Sequence, residues 1–324
     1  MDTKRVDQVN ILLMLMSAFF AYLLPFQLFL FAYAVLGPLH YLTEIGWLRE
    51  KRYFTNSKSD PMLLIGGGIA LFLVGVIPSA GDIVVKLLIG IFCAALLMTI
   101  PMSEGKKFGA IGAVALSLAL IPILPPLLVL FAIFLPTLIH VYVFTGGFML
   151  YGALKGKSES GLWALLAYVA IPLLLVLFSL HSSPSLLSDY VRSAYAFMAP
   201  LNQAILSLIH AGDGNIATAV FYSSAGIALM KFIAFAYTYH YLNWFSKTKV
   251  IKWHLVPKNH LAIVLLLWIG AVALYGYNYQ LGMFTLGFLS MLHVLLEFPL
   301  NHRTFYGIGA ELKARYTARL LTRA

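Results

Sequence analysis

Asn10–Ile45 reads NILLMLMSAFFAYLLPFQLFLFAYAVLGPLHYLTEI, and the architecture depends on how this run is divided. A helix needs about 20 apolar residues to cross a hydrocarbon core, so the run is too long for one span and short for two. Pro25 divides it, and charge decides the case. Lys4 and Arg5 precede the run, and Arg49, Lys51, Arg52 and Lys58 come after it. One span would leave a basic cluster outside, whereas two spans, roughly 9–24 and 26–46, keep both clusters in the cytosol, where basic loops concentrate. The run is therefore a helical hairpin.

Composition extends this reading to the whole chain. Hydrophobic residues make up 61% of it and charged residues 10%, and the mean hydropathy is +0.88. Soluble domains carry about 25% charged residues, because a surface facing water needs them. Most of this surface faces lipid instead. The net charge of +10 lies in short basic clusters between apolar runs, the pattern of cytosolic loops, so nucleic acid is excluded as a partner. Cys93 is the one cysteine, which rules out a disulfide framework. The stretch from Ile11 lacks a small-residue cleavage site and runs on into more apolar sequence, so it is not read as a cleavable signal peptide.

The same charge rule carries along the chain. Further spans are expected at roughly 61–78, 84–101, 108–123, 127–152, 161–180, 216–246, 259–276 and 281–300. Between them Glu104–Lys107, Lys155 with Lys157, and Lys247, Lys249 with Lys252 fall inside, together with the tail holding Arg303, Lys313, Arg315, Arg319 and Arg323. Pro125 and Pro126 end the fifth span. Residues 190–211 contain Arg192, Pro200, Asn202 and Gln203, and a full span there would flip the basic tail outside. This stretch is an outer or re-entrant piece. The expected fold is an all-α polytopic membrane bundle of about ten transmembrane helices, a single transmembrane domain over residues 1–324 with no repeat at fixed period. Both termini are cytosolic, in a plasma or inner membrane.

Chemistry is concentrated in the histidines. His40, His140, His240 and His293 lie on separate spans that all run from outside to inside. His40, His240 and His293 each sit six or seven residues before the cytosolic end, roughly 10 Å deep at 1.5 Å per residue. Tilt of the long helix bearing His140 brings it level. His40 is followed at i+4 by Glu44 and His293 by Glu297, which sets each carboxylate on its histidine's face. Ionisable groups inside a membrane are costly and usually mark function. Imidazole with carboxylate suits non-haem iron, one ion or two, and also zinc or manganese. His302, in Asn301–His302–Arg303, is a candidate fifth imidazole. Tyr142 and Tyr237 are deep enough to line a substrate cavity.

Other residues have plainer readings. Trp47, Trp244 and Phe245 suit the interfacial aromatic belt. Gly66–Gly68 and Gly146–Gly147 suit close helix contacts. Asn243 is a polar support to a ligand or a helix-end cap. His181 and His210 fall on the outer side, while His254 and His260 fall in or beside the basic inner loop.

A membrane bundle with four histidines resembles two known groups. One is the bacterial Brp/Blh-type carotene oxygenases, which the chain resembles in length, helix count and four-histidine non-haem iron. The other is the membrane desaturase and hydroxylase superfamily, which is di-iron. The HxxHH boxes of the second group are absent, and Tyr239–Trp244 offers one histidine where the first group has a closely spaced pair. The likeness is one of architecture, and no residue's role is carried over. The leading expectation is an iron enzyme that turns dioxygen on an acyl chain or isoprenoid, with Glu44 and Glu297 bridging a second iron or orienting their histidines. The basic inner face suits an acidic electron-donor protein. The competing class is a proton- or cation-coupled transporter using the same buried groups.

The charge rule yields a first test. Reporter fusions within residues 47–60 and within 246–258 are both expected to report the cytosol, and opposite sides would break the span count.

Overall fold

The computed structural model describes residues 3–321 apart from 123, 125–129, 180–186, 212–214, 248–251 and 253–254. Pro125, Pro126, His181, Lys249 and His254 lie outside the described residues. In chain order the helices are α1 (Thr3–Leu23), α2 (Pro25–Phe31), a π-helical segment (Ala32–Leu36), α3 (Gly37–Glu50), a 3₁₀ turn (Arg52–Phe54), α4 (Asp60–Gly75), α5 (Gly81–Thr99) and α6 (Glu104–Leu120). A second π-helical segment (Leu130–Phe144) comes next, then α7 (Thr145–Lys155), α8 (Glu159–Ser179), α9 (Asp189–Tyr195), α10 (Ala199–Leu208), α11 (Ile216–Phe221), α12 (Ser224–Ser246), α13 (Lys258–Tyr277) and α14 (Tyr279–Leu321).

Among the described residues, 7 helices are long and apolar enough to cross a membrane: Lys4–Leu23, Pro25–Glu50, Gly81–Thr99, Leu130–Lys155, Glu159–Ser179, Lys258–Tyr277 and Tyr279–Ala318. The division at Pro25 is therefore where the sequence places it. Pro is tolerated in a helix's first turn but breaks an interior, and here it opens α2. Three expected spans fall outside this set. Asp60–Gly75 has 16 residues and Glu104–Leu120 has 17. The span expected over 216–246 breaks into α11 and α12 at Tyr222–Ser223. Ser223 caps α12 by accepting from the Gly226 N–H at 2.9 Å. A Cβ on Gly226 would lie 2.1 Å from the Ala219 carbonyl oxygen, so only glycine permits so tight a break. Over 190–211 the chain forms the 7-residue α9 and the 10-residue α10, neither long enough to cross.

The chain divides into two compact units, Met1–Leu42 with Ser158–Leu286, and Thr43–Lys157 with Gly287–Ala324. In the first unit α12 is central, packing on α1, α2, α8 and the first π segment. It is buried on nearly every face, which is why its sequence tolerates Lys231, His240 and Asn243 between aromatics. In the second unit α5 packs on α4, α6 and the second π segment. Its core joins Leu64, Leu88 and Ile91 to Leu292, Leu295 and Phe298 of α14. Gly67, Gly68 and Gly147 serve close approach as expected, whereas a Cβ on Gly66 would meet open space. A Cβ on Gly68 would stand 3.1 Å from Leu292 Cδ1, and one on Gly147 3.4 Å from Phe305.

Both π segments matter locally. The Gly37 N–H reaches back to the Ala32 carbonyl, five residues away, which widens the turn and re-aims the side chains of α3. In the second segment Pro136 cannot donate, and the Thr137 hydroxyl bonds the Ile133 carbonyl instead.

A buried ion pair ties the second unit's loop side. Lys107 Nζ donates to Asp60 Oδ1 at 2.6 Å and to Glu104 Oε1 at 3.3 Å, with Lys107 and Asp60 fully buried. Burial works against the Lys107 charge, but hydrogen bonds and charge from Asp60 and Glu104 outweigh it and hold its pKa above the ordinary lysine value. Removing one partner of such a pair leaves an uncompensated buried charge, at a cost of about 3–5 kcal/mol. Lys107→Met is accordingly expected to lower the unfolding midpoint sharply in detergent, and adding Asp60→Asn should recover most of the loss.

Candidate metal centre

Each unit holds one pair of buried histidines. In the first unit, His40 comes from α3, directly after the first π segment, and His240 from α12. Their Nε2 atoms are 3.1 Å apart, with ring centroids at 4.6 Å and planes inclined at 70°. In the second unit, His140 lies in the second π segment and His293 on α14. Their Nε2 atoms are also 3.1 Å apart, with centroids at 4.9 Å and planes at 75°. The same edge-to-edge arrangement is thus built twice.

The surroundings hold these rings in place. Tyr241 lies 5.1 Å from the His40 ring and 5.4 Å from the His240 ring, and Trp244 meets His40 edge-on at 5.7 Å. Trp244 is buried, which corrects the expectation of an interfacial role: α12 is covered at its C-terminal end, where Trp244 faces the histidine. Gly37 makes room for Tyr241, whose hydroxyl would sit 3.3 Å from any Cβ there. In the second unit Glu297 Oε2 lies 2.9 Å from His140 Nδ1, both side chains being 2% exposed. The contact is one of proximity and charge, without the alignment of a good hydrogen bond. Glu297 therefore reaches across to a neighbouring helix. Glu44 is buried on α3.

Asn243 supports its helix through a network. Its Nδ2 donates to Asn10 Oδ1 at 2.9 Å and to the Tyr239 hydroxyl at 3.0 Å. The Tyr239 and Ser246 hydroxyls donate to the same Asn10 oxygen at 3.1 and 3.2 Å. The network locks α12 to α1 and so sets the rotation that aims His240. Asn10 escaped the sequence reading because a lone Asn near a helix start carries no signal; the spacing of Tyr239, Asn243 and Ser246 down one face was the available clue.

The remaining candidates lie elsewhere. His302 Nε2 is 2.9 Å from the Phe92 carbonyl, and its ring packs on Phe92 at 4.4 Å. Nine residues along an α-helix shift a side chain by about 13 Å and half a turn, so His302 and His293 face different neighbours. Tyr142 is half-buried in the second π segment, and Tyr237 is packed among the rings of Phe29, Tyr33 and Tyr241. His210 and His260 are exposed.

Two imidazole nitrogens 3.1 Å apart have two uses. One can donate to the other, or both can turn lone pairs on a shared cation. At metal–nitrogen distances of about 2.1 Å, a 3.1 Å separation corresponds to a ligand–metal–ligand angle of about 95°. A carboxylate beside His140 Nδ1 favours the tautomer with its proton on that nitrogen, which puts the lone pair on Nε2, the atom facing His293.

The fold and site define an all-helical protein of membrane character with a buried histidine cluster. No family model, curated protein or solved structure matches the chain.

The Asn10 network has a measurable consequence. Asn243→Leu removes both of its donated bonds and leaves a buried acceptor short, costing about 1–3 kcal/mol in unfolding measurements. Ser246→Ala, which removes a part-buried hydroxyl that contacts Asn10 Oδ1 and the Asn243 carbonyl, should cost less.

Proposed function

We propose that His40, His140, His240 and His293 are the ligands of one metal centre and that the protein is a membrane oxidoreductase acting on a lipophilic substrate. The observation that carries this reading is the duplicated pair: two sets of Nε2 atoms at 3.1 Å, each fit for adjacent positions on an ion. All four side chains are buried, so each pair presents its ring nitrogens in a site closed to solvent. A ligand angle near 95° lies closer to octahedral or square-based geometry than to the tetrahedron that zinc prefers, which favours iron. Four imidazoles would hold such an ion while leaving positions for dioxygen, and the apolar bundle would keep water from the reaction. Glu297 acts through His140, fixing its tautomer and raising its basicity.

The same reading sets the protein in a plasma or inner membrane with ten crossings and both termini cytosolic. Asp60–Gly75 and Glu104–Leu120 reach about 24–26 Å, short of a 30 Å core by an amount that local thinning accommodates. Ser224–Ser246 is long enough at about 35 Å, and its lower hydropathy comes from being buried in protein. Acyl chains or isoprenoids are the substrate class, and the basic inner loops receive an acidic electron donor.

Metal analysis of the purified protein is the test. Stoichiometric iron is expected, lost when any of the four histidines is changed to Ala. Glu297→Gln should weaken metal binding by about 10–100-fold, the usual effect of removing a group that orients a ligand. Protein free of transition metal that moves protons or cations across vesicles would overturn this function in favour of transport.

A further inference from the structure

Within the first unit an unbroken file of tyrosines leads from the α13–α14 turn to the histidine pair. Tyr279 and Tyr275 have ring centroids 5.0 Å apart, and Tyr275 lies 6.4 Å from Tyr33. Tyr33 is 6.1 Å from Tyr237, and Tyr237 is 6.3 Å from Tyr241. Tyr241 then touches both His40 and His240. Four of these rings are buried and Tyr33 is half-buried. At the far end, Tyr277, between Tyr275 and Tyr279 in sequence, is 84% exposed.

Packing alone does not call for tyrosine here. Phenylalanine would fill the same spaces without a hydroxyl to desolvate, and a buried hydroxyl costs free energy unless it is bonded. The Tyr279 hydroxyl donates to the Leu30 carbonyl at 3.1 Å, while that of Tyr275 has only the weak acceptor Met283 Sδ at 3.8 Å. What a phenol offers that a phenyl ring does not is one-electron oxidation at an accessible potential. Rings in van der Waals succession also suit stepwise electron transfer, whose rate falls steeply with each added gap.

We propose that this file carries single oxidising equivalents away from the histidine centre, discharging an oxidant formed there from dioxygen when no substrate is bound. The inference rests on the oxidoreductase reading of the four histidines. In the first step Tyr241 gives one electron and its phenolic proton to that oxidant, which is reduced by one equivalent, and becomes a neutral tyrosyl radical. Each outer tyrosine in turn restores the one before it by the same exchange of one electron and one proton. At Tyr279 a reductant of the thiol or ascorbate class supplies the last electron and proton, so every tyrosine is regenerated.

The test uses full-length protein loaded with ferrous iron, with metal content measured on every sample. After exposure to dioxygen without substrate, freeze-quenched electron paramagnetic resonance should detect a tyrosyl radical, and its spectrum should change in protein grown on ring-deuterated tyrosine. Tyr33→Phe interrupts the file at its middle. This variant should keep its iron, lose radical density on Tyr275 and Tyr279, and accumulate oxidation of Tyr241 and Trp244 several-fold faster, as read by peptide mass spectrometry. Phe29→Leu, which alters packing beside Tyr33 and Tyr237 without removing a phenol, should leave the radical in place. Iron-loaded protein that forms no tyrosyl radical, or in which Tyr33→Phe leaves damage unchanged, would overturn the relay and leave the metal centre standing. Protein that binds no metal would overturn both.

Discussion

Inside hydrocarbon a polar side chain finds its partner within the protein or finds none, and that constraint organises both units. Buried polar groups are met by others from different stretches of chain. Lys107 is met by Asp60, Asn243 by Asn10, His140 by Glu297 and His293, and His240 by His40. Apolar packing alone holds helices weakly against one another in lipid, because lipid tails are as apolar as leucine. The polar contacts supply the specificity that packing lacks.

Helix rotation is the variable these contacts control. His240 points at His40 because α12 is held to α1 by a single Asn10 oxygen accepting from three donors. His40 comes just after a π turn and His140 sits in a π segment, where the register departs from regular α-helix. A π turn adds a residue and re-aims the side chains after it, a device often found at functional sites. The aromatic shell around the first pair, Tyr241 and Trp244, is close enough to restrain both imidazoles.

Much of this was legible along the chain. Hydropathy locates the seven helices long enough to cross a membrane, because crossing lipid needs length and apolarity, both of which are local. The four histidines stood out because ionisable groups are rare in such spans. The glutamates were visible through their i+4 spacing, yet Glu297 meets His140 on another element, a contact that spacing along one helix does not reveal. Trp244 was misread as an interfacial residue because its position near a helix end suits a belt; only the cover over α12 turns it inward.

By itself, then, the sequence determined the solvent of this protein, the approximate positions of its helices and which ionisable residues lie within its apolar stretches, since each depends on composition within one segment. The tertiary structure decided which histidine faces which, that α11 and α12 separate at Tyr222–Ser223, and that five tyrosines form a continuous file. Those outcomes depend on helix rotation, on breaks such as the π turns, and on contacts between residues as far apart as Tyr33 and Tyr275. No local pattern encodes them, because they are settled only when side chains from several segments pack together at once.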